Sequence, residues 1–175
     1  MYPLESHPVS EPAEMSYFLQ CDSLAVMSIP QIYLRLDTHR ELVEELRSLD
    51  TAEDQLSYLM ERQPIHAPLA VDMRVESQKV PGCLSGLWLH GQCVDSVCTF
   101  SAHSESSLVQ GVVSFLCDIY GGRPPEEIIA IGDSIAQAVN LDGLLSVTRK
   151  RATSSTLAFI LHTASQHISQ QQIAS

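Results

Sequence analysis

The sequence has few basic residues: 10 Lys and Arg stand against 21 Asp and Glu, which gives a formal net charge of −11. Binding to a nucleic-acid backbone depends on neutralisation of phosphates by Lys and Arg, so this deficit argues against such a partner. The chain also has no run near the ~18 uninterrupted apolar residues that predict a membrane span. We therefore expect neither a nucleic acid nor a membrane as partner.

Lys and Arg are absent from the first 34 residues, which contain four prolines and several acidic residues. A secretion signal starts with basic residues and a transit peptide is rich in Arg, so neither is predicted. Residues 1–36 are interpreted as an acidic, partly disordered extension, and 37–175 as a single domain. The expected location is the cytoplasm, and the expected state is a monomer or a homodimer.

The cysteines are five in number, and they lack the dense spacing of a small disulfide scaffold. This pattern favours a reducing compartment. Cys93 and Cys98 have poor spacing for metal ligands, and no glycine-rich phosphate loop is present, so we predict neither a metal site nor a cofactor. Cys98 and Cys117 are predicted to lie in the core, whereas Cys93 is predicted to be exposed beside a turn.

Periodicity predicts an α+β fold with a small antiparallel three-stranded sheet packed against several helices. The first strand is predicted at 71–76, where apolar and charged residues alternate. The other two are predicted on either side of a Gly91-Gln92 turn, with Val94, Cys98 and Phe100 on one face. Helices are predicted from Thr38, after Thr51, from Ser104 to Tyr120, from Pro125, at 134–140 and at the C-terminal end.

An interior glycine, Gly111, marks the predicted helix that follows Ser104. Glycine there costs about 1 kcal/mol relative to alanine, so we expect another backbone to pass close by.

A single cysteine, Cys83, follows a Pro-Gly pair and precedes a strand-like apolar run. Pro81 fixes its own φ and Gly82 permits a positive φ, so the chain can bend sharply there. Lone cysteines are more often buried, but this turn predicts a thiol at a loop tip.

Four ordered segments carry a family resemblance. The run VPGCLSGLW at 80–88 is similar to the signature V-x-G-C-x-S-x-V-W, and SES at 104–106 with Gly111 is similar to an S-D-A motif and its glycine helix. PEEI at 125–128 resembles T-P-E-E-I, and LSVTR at 145–149 resembles L-S-P-S-R. Together these segments resemble the SufE/CsdE family of sulfur acceptor proteins over roughly residues 38–165.

The resemblance implies a SufE/IscU-like fold and a role in iron–sulfur cluster assembly. Cys83 would accept persulfide sulfur from a SufS/CsdA-type cysteine desulfurase, which carries the pyridoxal phosphate, and would stimulate that enzyme. The sulfur would then pass to cluster scaffold proteins. The chain would act as a sulfurtransferase-like carrier rather than as a stand-alone enzyme, and it would need no cofactor of its own.

The predicted environment of the thiol includes Gly82, Ser85 and a cation, because a nearby positive charge increases the thiolate fraction. Arg149, at the arginine position of the family, and Lys79 are the candidates. A role for Arg149 in capping a carboxylate or a helix end stays open.

Four positions depart from the family pattern. Leu84 and Gly86 stand where it has glutamines, Glu105 where it has aspartate, and Ala152 where it has glycine. These changes leave the sulfur donor open.

Three alternatives remain. An IscU-like iron–sulfur or metal scaffold would need further ligands close to Cys83, and metal analysis would identify it. An interaction module would keep its activity in Cys83→Ser. A Cys-His hydrolase is the weakest, since no ordered Cys-His-Asp set is evident.

Overall fold

The computed structural model describes residues 37–174, and the extension expected at 1–36 lies outside them. Over these residues the chain forms an α+β fold, as predicted. The elements in chain order are α1 (Asp37–Ser48), α2 (Ala52–Glu61), β1 (Leu87–Val94), β2 (Val97–Ser104), α3 (Ser107–Tyr120), α4 (Pro125–Ile131), α5 (Ser134–Ala138), α6 (Leu141–Leu144) and α7 (Val147–Ala174).

The predicted helices are present, with small differences at their ends. Thr51 caps α2, because its hydroxyl accepts a hydrogen bond from the Asp54 N–H at 3.1 Å. The cap of α3 is Ser106, which accepts from Val109 N–H at 3.5 Å, rather than the predicted Ser104. Ser104 still belongs to the sheet, where it pairs with Leu87. Asp142 and Gly143 belong to the single-turn helix α6.

The sheet has two strands in the described residues, and the predicted third strand at 71–76 was wrong. This segment forms two 3₁₀ turns, Val71–Met73 and Glu76–Gln78. Its N–H groups close local bonds instead of a ladder, as in Met73 N–H to the Ala70 carbonyl. Val71 is 76% exposed, so the apolar residues of the alternating pattern do not cover a core. The alternation therefore reflected a surface segment rather than a half-buried strand.

The hairpin turn lies at Asp95-Ser96 and not at the predicted Gly91-Gln92. Asp95 and Ser96 have positive φ values of 49° and 62°, as a type I′ turn requires. Gly91 instead pairs with Phe100 inside the ladder. A Cβ atom on Gly91 would lie 2.9 Å from the Phe100 ring and 3.0 Å from the Phe159 ring. The glycine thus admits aromatic side chains rather than a reversal of the chain.

The displaced turn changes the environment of its neighbours. Cys98 and Phe100 are buried on one face, as predicted, but Val94 is exposed next to the turn. Cys93 lies directly opposite Cys98, and the two form a disulfide. This pairing departs from the expectation of unpaired cysteines.

The core is organised around α3, which packs against β2, α2 and α7. The apolar residues at helical spacing on its inner face are all buried: Leu108, Val112, Phe115, Leu116 and Ile119. A Cβ atom on Gly111 would collide with the Leu59 carbonyl, so a second backbone does pass there, and it belongs to α2. On α7, Ile160 and Ala164 are buried.

Candidate functional site

Cys83 lies in a loop whose two ends are joined at the edge of the sheet. The Val80 N–H donates to the Leu87 carbonyl at 2.8 Å, and Lys79 forms a β-bridge with Trp88. Gly82 has a φ of 71°, which only glycine adopts readily. The predicted sharp bend is therefore present, and residues 81–86 form a closed loop, which we call the Cys83 loop.

Glu105 holds the second half of this loop. Its backbone N–H donates to the Gly86 carbonyl at 3.1 Å, and its carboxylate accepts from the Gly86 N–H at 3.1 Å. A Cβ atom on Gly86 would lie 2.5 Å from the Trp88 ring, so a side chain would not fit against that tryptophan. Two of the positions that depart from the family pattern, Gly86 and Glu105, thus contact each other.

The thiol lies beside a cleft of about 320 Å³. Cys83 is half-buried, while the adjacent Leu84 is 91% exposed. Three residues of the predicted site, Cys83, Ser85 and Arg149, line this cleft together. The other lining residues are Leu84, Ser106, Val109 and Ala152. Leu87 is buried in the core and does not line this cleft.

The pKa of Cys83 depends on two opposing effects. Burial raises it above the ordinary value, and the positive charge of Arg151 lowers it. Arg151 packs against the turn itself, since a Cβ atom on Gly82 would lie 3.1 Å from the Arg151 Cζ atom. Arg151 is thus the cation that acts on the thiol, while Arg149 lines the cleft.

Sequence reasoning missed Arg151 and selected Arg149 and Lys79. Residues two apart on a helix point in directions about 200° apart, so Arg149 and Arg151 reach different sides of the Cys83 loop. Lys79 lies over the Trp88 ring at 5.6 Å and within 3.8 Å of the Glu76 carboxylate. The run Arg149-Lys150-Arg151 indicated that a second cation was available, but the sequence does not tell which of these side chains faces Cys83.

Cys117 is the other unpaired cysteine among the described residues, and it is 3% exposed on α3. Burial and the neighbouring Asp118 charge raise its pKa to about 12, although Arg62 opposes them. The prediction that Cys117 packs in the core is confirmed. Over the same residues, no three His, Cys, Asp or Glu side chains form a group suited to a metal ion.

Comparison with known proteins gives a consistent result. The SufE family model, described as an Fe-S metabolism associated domain, matches residues 40–164. An uncharacterized SufE-like protein from Rhizobium etli is 30% identical over 95 residues, which are 52% of this chain and 64% of that protein. SufE-like protein 2, chloroplastic, from Arabidopsis thaliana is 30% identical over 122 residues, or 68% of this chain and 47% of that protein.

A solved structure shares the fold. The solution structure of a hypothetical protein from Thermus thermophilus superposes with a TM-score of 0.61 at 16% identity, covering 75% of this chain and 96% of that one. The matches to the two curated relatives span less than two thirds of those proteins. Among residues 37–174, no helix combines the length and apolar character needed to cross a bilayer. The Arabidopsis relative is named as chloroplastic, so the expected cytoplasmic location is not confirmed.

Proposed function

Because this chain belongs to the SufE family of Fe-S metabolism associated domains, we propose that it is a sulfur carrier that accepts persulfide sulfur on Cys83. The donor is a pyridoxal-phosphate-dependent cysteine desulfurase, and the sulfur passes on to iron–sulfur cluster scaffold proteins. The observation that carries the proposal is the position of Cys83 at the bend of a closed loop, beside Arg151 and a cleft.

The transfer is a thiol–persulfide exchange. The Cys83 thiolate attacks the outer sulfur of the donor persulfide, and a new S–S bond forms on Cys83 as the donor S–S bond breaks. The donor cysteine leaves as its thiolate and takes up the proton that Cys83 gave to solvent. No net oxidation or reduction occurs. Removal of the sulfur returns the desulfurase to its free thiolate form, which accounts for stimulated turnover.

The geometry around Cys83 supports this chemistry. The Arg151 charge favours the thiolate that attacks, against the opposing effect of burial. The exposed Leu84 side chain beside the thiol offers an apolar contact to a docking protein. Arg149 lies at the cleft, where its guanidinium is suited to stabilise the persulfide anion after transfer. Ser85 and Gly82 complete the proposed environment of the thiol.

The test is the intact mass of the purified protein after incubation with a cysteine desulfurase and cysteine. We expect a gain of about 32 Da, reversed by dithiothreitol, on the wild type and on Cys117→Ser, and no gain on Cys83→Ser. Cys117→Ser is the matched control because it also removes one thiol. A gain on Cys83→Ser would move the chemistry to another cysteine, and no gain on any of the three proteins would overturn the proposal.

A further inference from the structure

A second and larger cleft borders the Cys83 loop at Pro81. It has a volume of about 530 Å³, which is in the size range of ligand pockets. Arg151 and Lys79 line it, and no Asp or Glu occurs among the described residues of its wall. In a chain with a formal net charge of −11, a wall that carries only positive charges favours an anionic ligand.

The neutral side chains of this cleft add a requirement for the chemistry of the ligand. Gln78 and His90 line it, and the Gln78 Nε2 atom lies 3.3 Å from the His90 Nδ1 atom. The Gln78 Oε1 atom is buried and has no hydrogen-bond partner among the described residues. A buried acceptor without a donor is costly, and rotation of the Gln78 amide toward a ligand that brings an O–H or N–H group would remove that cost.

The rest of the wall is apolar and includes Pro81, Leu89 and Phe159. Lys79 also lies over the Trp88 ring, but its charge is only weakly compensated, because the Glu76 carboxylate is 3.8 Å away and exposed. Two cations, one free acceptor and apolar sides together suit a short carbon chain with two carboxylates and one hydroxyl or amino group.

We propose that this cleft binds a small hydroxy- or amino-dicarboxylate, and that its occupation is transmitted to Cys83 through Arg151. Arg151 belongs to both sites, since it lines the cleft and its guanidinium also packs against Gly82 in the turn. A carboxylate paired with Arg151 compensates the positive charge that favours the Cys83 thiolate. Binding of the ligand therefore makes Cys83 less reactive.

The coupling is reciprocal, because linkage requires each site to affect the other equally. A negative charge on Cys83, as thiolate or persulfide, competes with the carboxylate for Arg151 and weakens binding in the cleft. The other charged groups nearby are Lys79 with its partner Glu76, Arg149 in the wall of the first cleft, and Glu105, which is bonded to Gly86. Binding of the ligand does not depend on the proposed function. The conclusion that the ligand regulates sulfur acceptance does rest on it.

The experiment uses L-malate and L-aspartate as probes at millimolar concentration. Binding is measured by calorimetry, and the rate of Cys83 alkylation by iodoacetamide is followed by mass spectrometry across a range of pH. We expect saturable binding of at least one probe and about fivefold slower alkylation near neutral pH, with the Cys83 titration shifted to higher pH. The uncharged diamide of malate should have neither effect.

Variants separate the two parts of the inference. Arg151→Gln should lose both the binding and the effect of the ligand on alkylation, and Lys79→Gln should weaken binding. Lys150→Gln is the matched control, because it removes a positive charge next to Arg151 from a residue outside both cleft walls. Its response to the probes should equal that of the wild type.

Two results would overturn the inference. Absence of saturable binding of both probes would exclude the site, and binding that leaves the alkylation rate unchanged would exclude the coupling. Since alkylation needs no desulfurase, these outcomes are distinguishable from failure of the sulfur-transfer proposal.

Discussion

Cys83 and Cys117 are the same residue type in opposite surroundings. Cys83 follows a Pro-Gly bend in a closed loop at the edge of the sheet, where it is half-buried and packs against the border of the core. Cys117 lies on the central helix α3, where it is almost completely buried. A helix interior fixes the direction of a side chain and lets neighbours close over it, whereas a loop at the sheet edge leaves part of the side chain accessible to solvent.

The charges beside the two thiols also differ in sign. Burial raises both pKa values, but Arg151 opposes that effect at Cys83, while Asp118 adds to it at Cys117. Asp118 is itself part of a buried network: its carboxylate accepts from Arg62 at 2.6 Å and from the His66 N–H at 2.9 Å. One thiol thus has a cation and a cleft beside it, and the other belongs to the structural support of the fold.

The largest expected difference is in reactivity. Iodoacetamide should alkylate Cys83 on the order of a thousandfold faster than Cys117 in the native protein, because the thiolate of Cys117 is rare and reachable only after local opening. Peptide mass mapping of samples quenched at increasing times gives both rates. After denaturation the two rates should become similar, whereas similar rates in the native protein would refute the contrast.

A second effect concerns the network beneath Cys117. Asp118→Asn should lower the free energy of unfolding by about 3 kcal/mol, since it leaves the buried Arg62 guanidinium without its carboxylate. Chemical denaturation measures this change, and Asp72→Asn, at an exposed position, is the matched control with an expected change below about 0.5 kcal/mol. An equal effect of both substitutions would show that the Asp118 network stabilises the fold no more than an exposed carboxylate does.

The same carboxylate predicts a dependence on pH. Burial alone would raise the pKa of Asp118, but hydrogen bonds from His66, Ile65 and Arg62 outweigh it, and the net shift is downward. The carboxylate therefore stabilises the fold above its unfolded pKa of about 4, and the contribution is lost as the pH falls through the lower folded value. Below that pH, wild type and Asp118→Asn should converge in stability.

The smallest expected effect comes from adding a Cβ atom to a glycine with positive φ, and it distinguishes backbone strain from a change in the reactivity of Cys83. Gly82→Ala and Gly122→Ala both introduce a Cβ at positive φ, with φ values of 71° and 77°, and each should cost about 1 kcal/mol of stability. The space around them differs, because the new Cβ at position 82 meets the Arg151 guanidinium at 3.1 Å and that at 122 meets nothing. Only Gly82→Ala should slow alkylation of Cys83. An equal loss of reactivity in both variants would assign the effect to general destabilisation.

Sequence patterns correctly predicted the structural features that depend on residues close together in the chain. The amphipathic helices, the bend at Pro81-Gly82 and the buried face of α3 follow from periodicity and backbone preferences. Gly111 was also informative, since a glycine inside a helix signals close approach of another backbone, here that of α2.

Features that depend on distant residues were missed. Gly91 was taken for a turn residue, although it makes room for the Phe159 ring of α7. Alternation at 71–76 predicted a strand, but the N–H groups of this segment bond locally and it joins no ladder in the described part of the chain. Arg151 reaches Gly82 only because the start of α7 returns to the Cys83 loop, a contact that helical spacing alone does not reveal.

The closed base of the Cys83 loop has a consequence for redesign. The hydrogen bond from the Val80 N–H to the Leu87 carbonyl closes the loop where it meets the sheet. The solvent-facing Leu84 contributes little to the core. Position 84 is therefore suited to saturation mutagenesis, and a library there would sample docking preferences while the scaffold stays folded. Gly86, confined by Trp88, would have to be left unchanged.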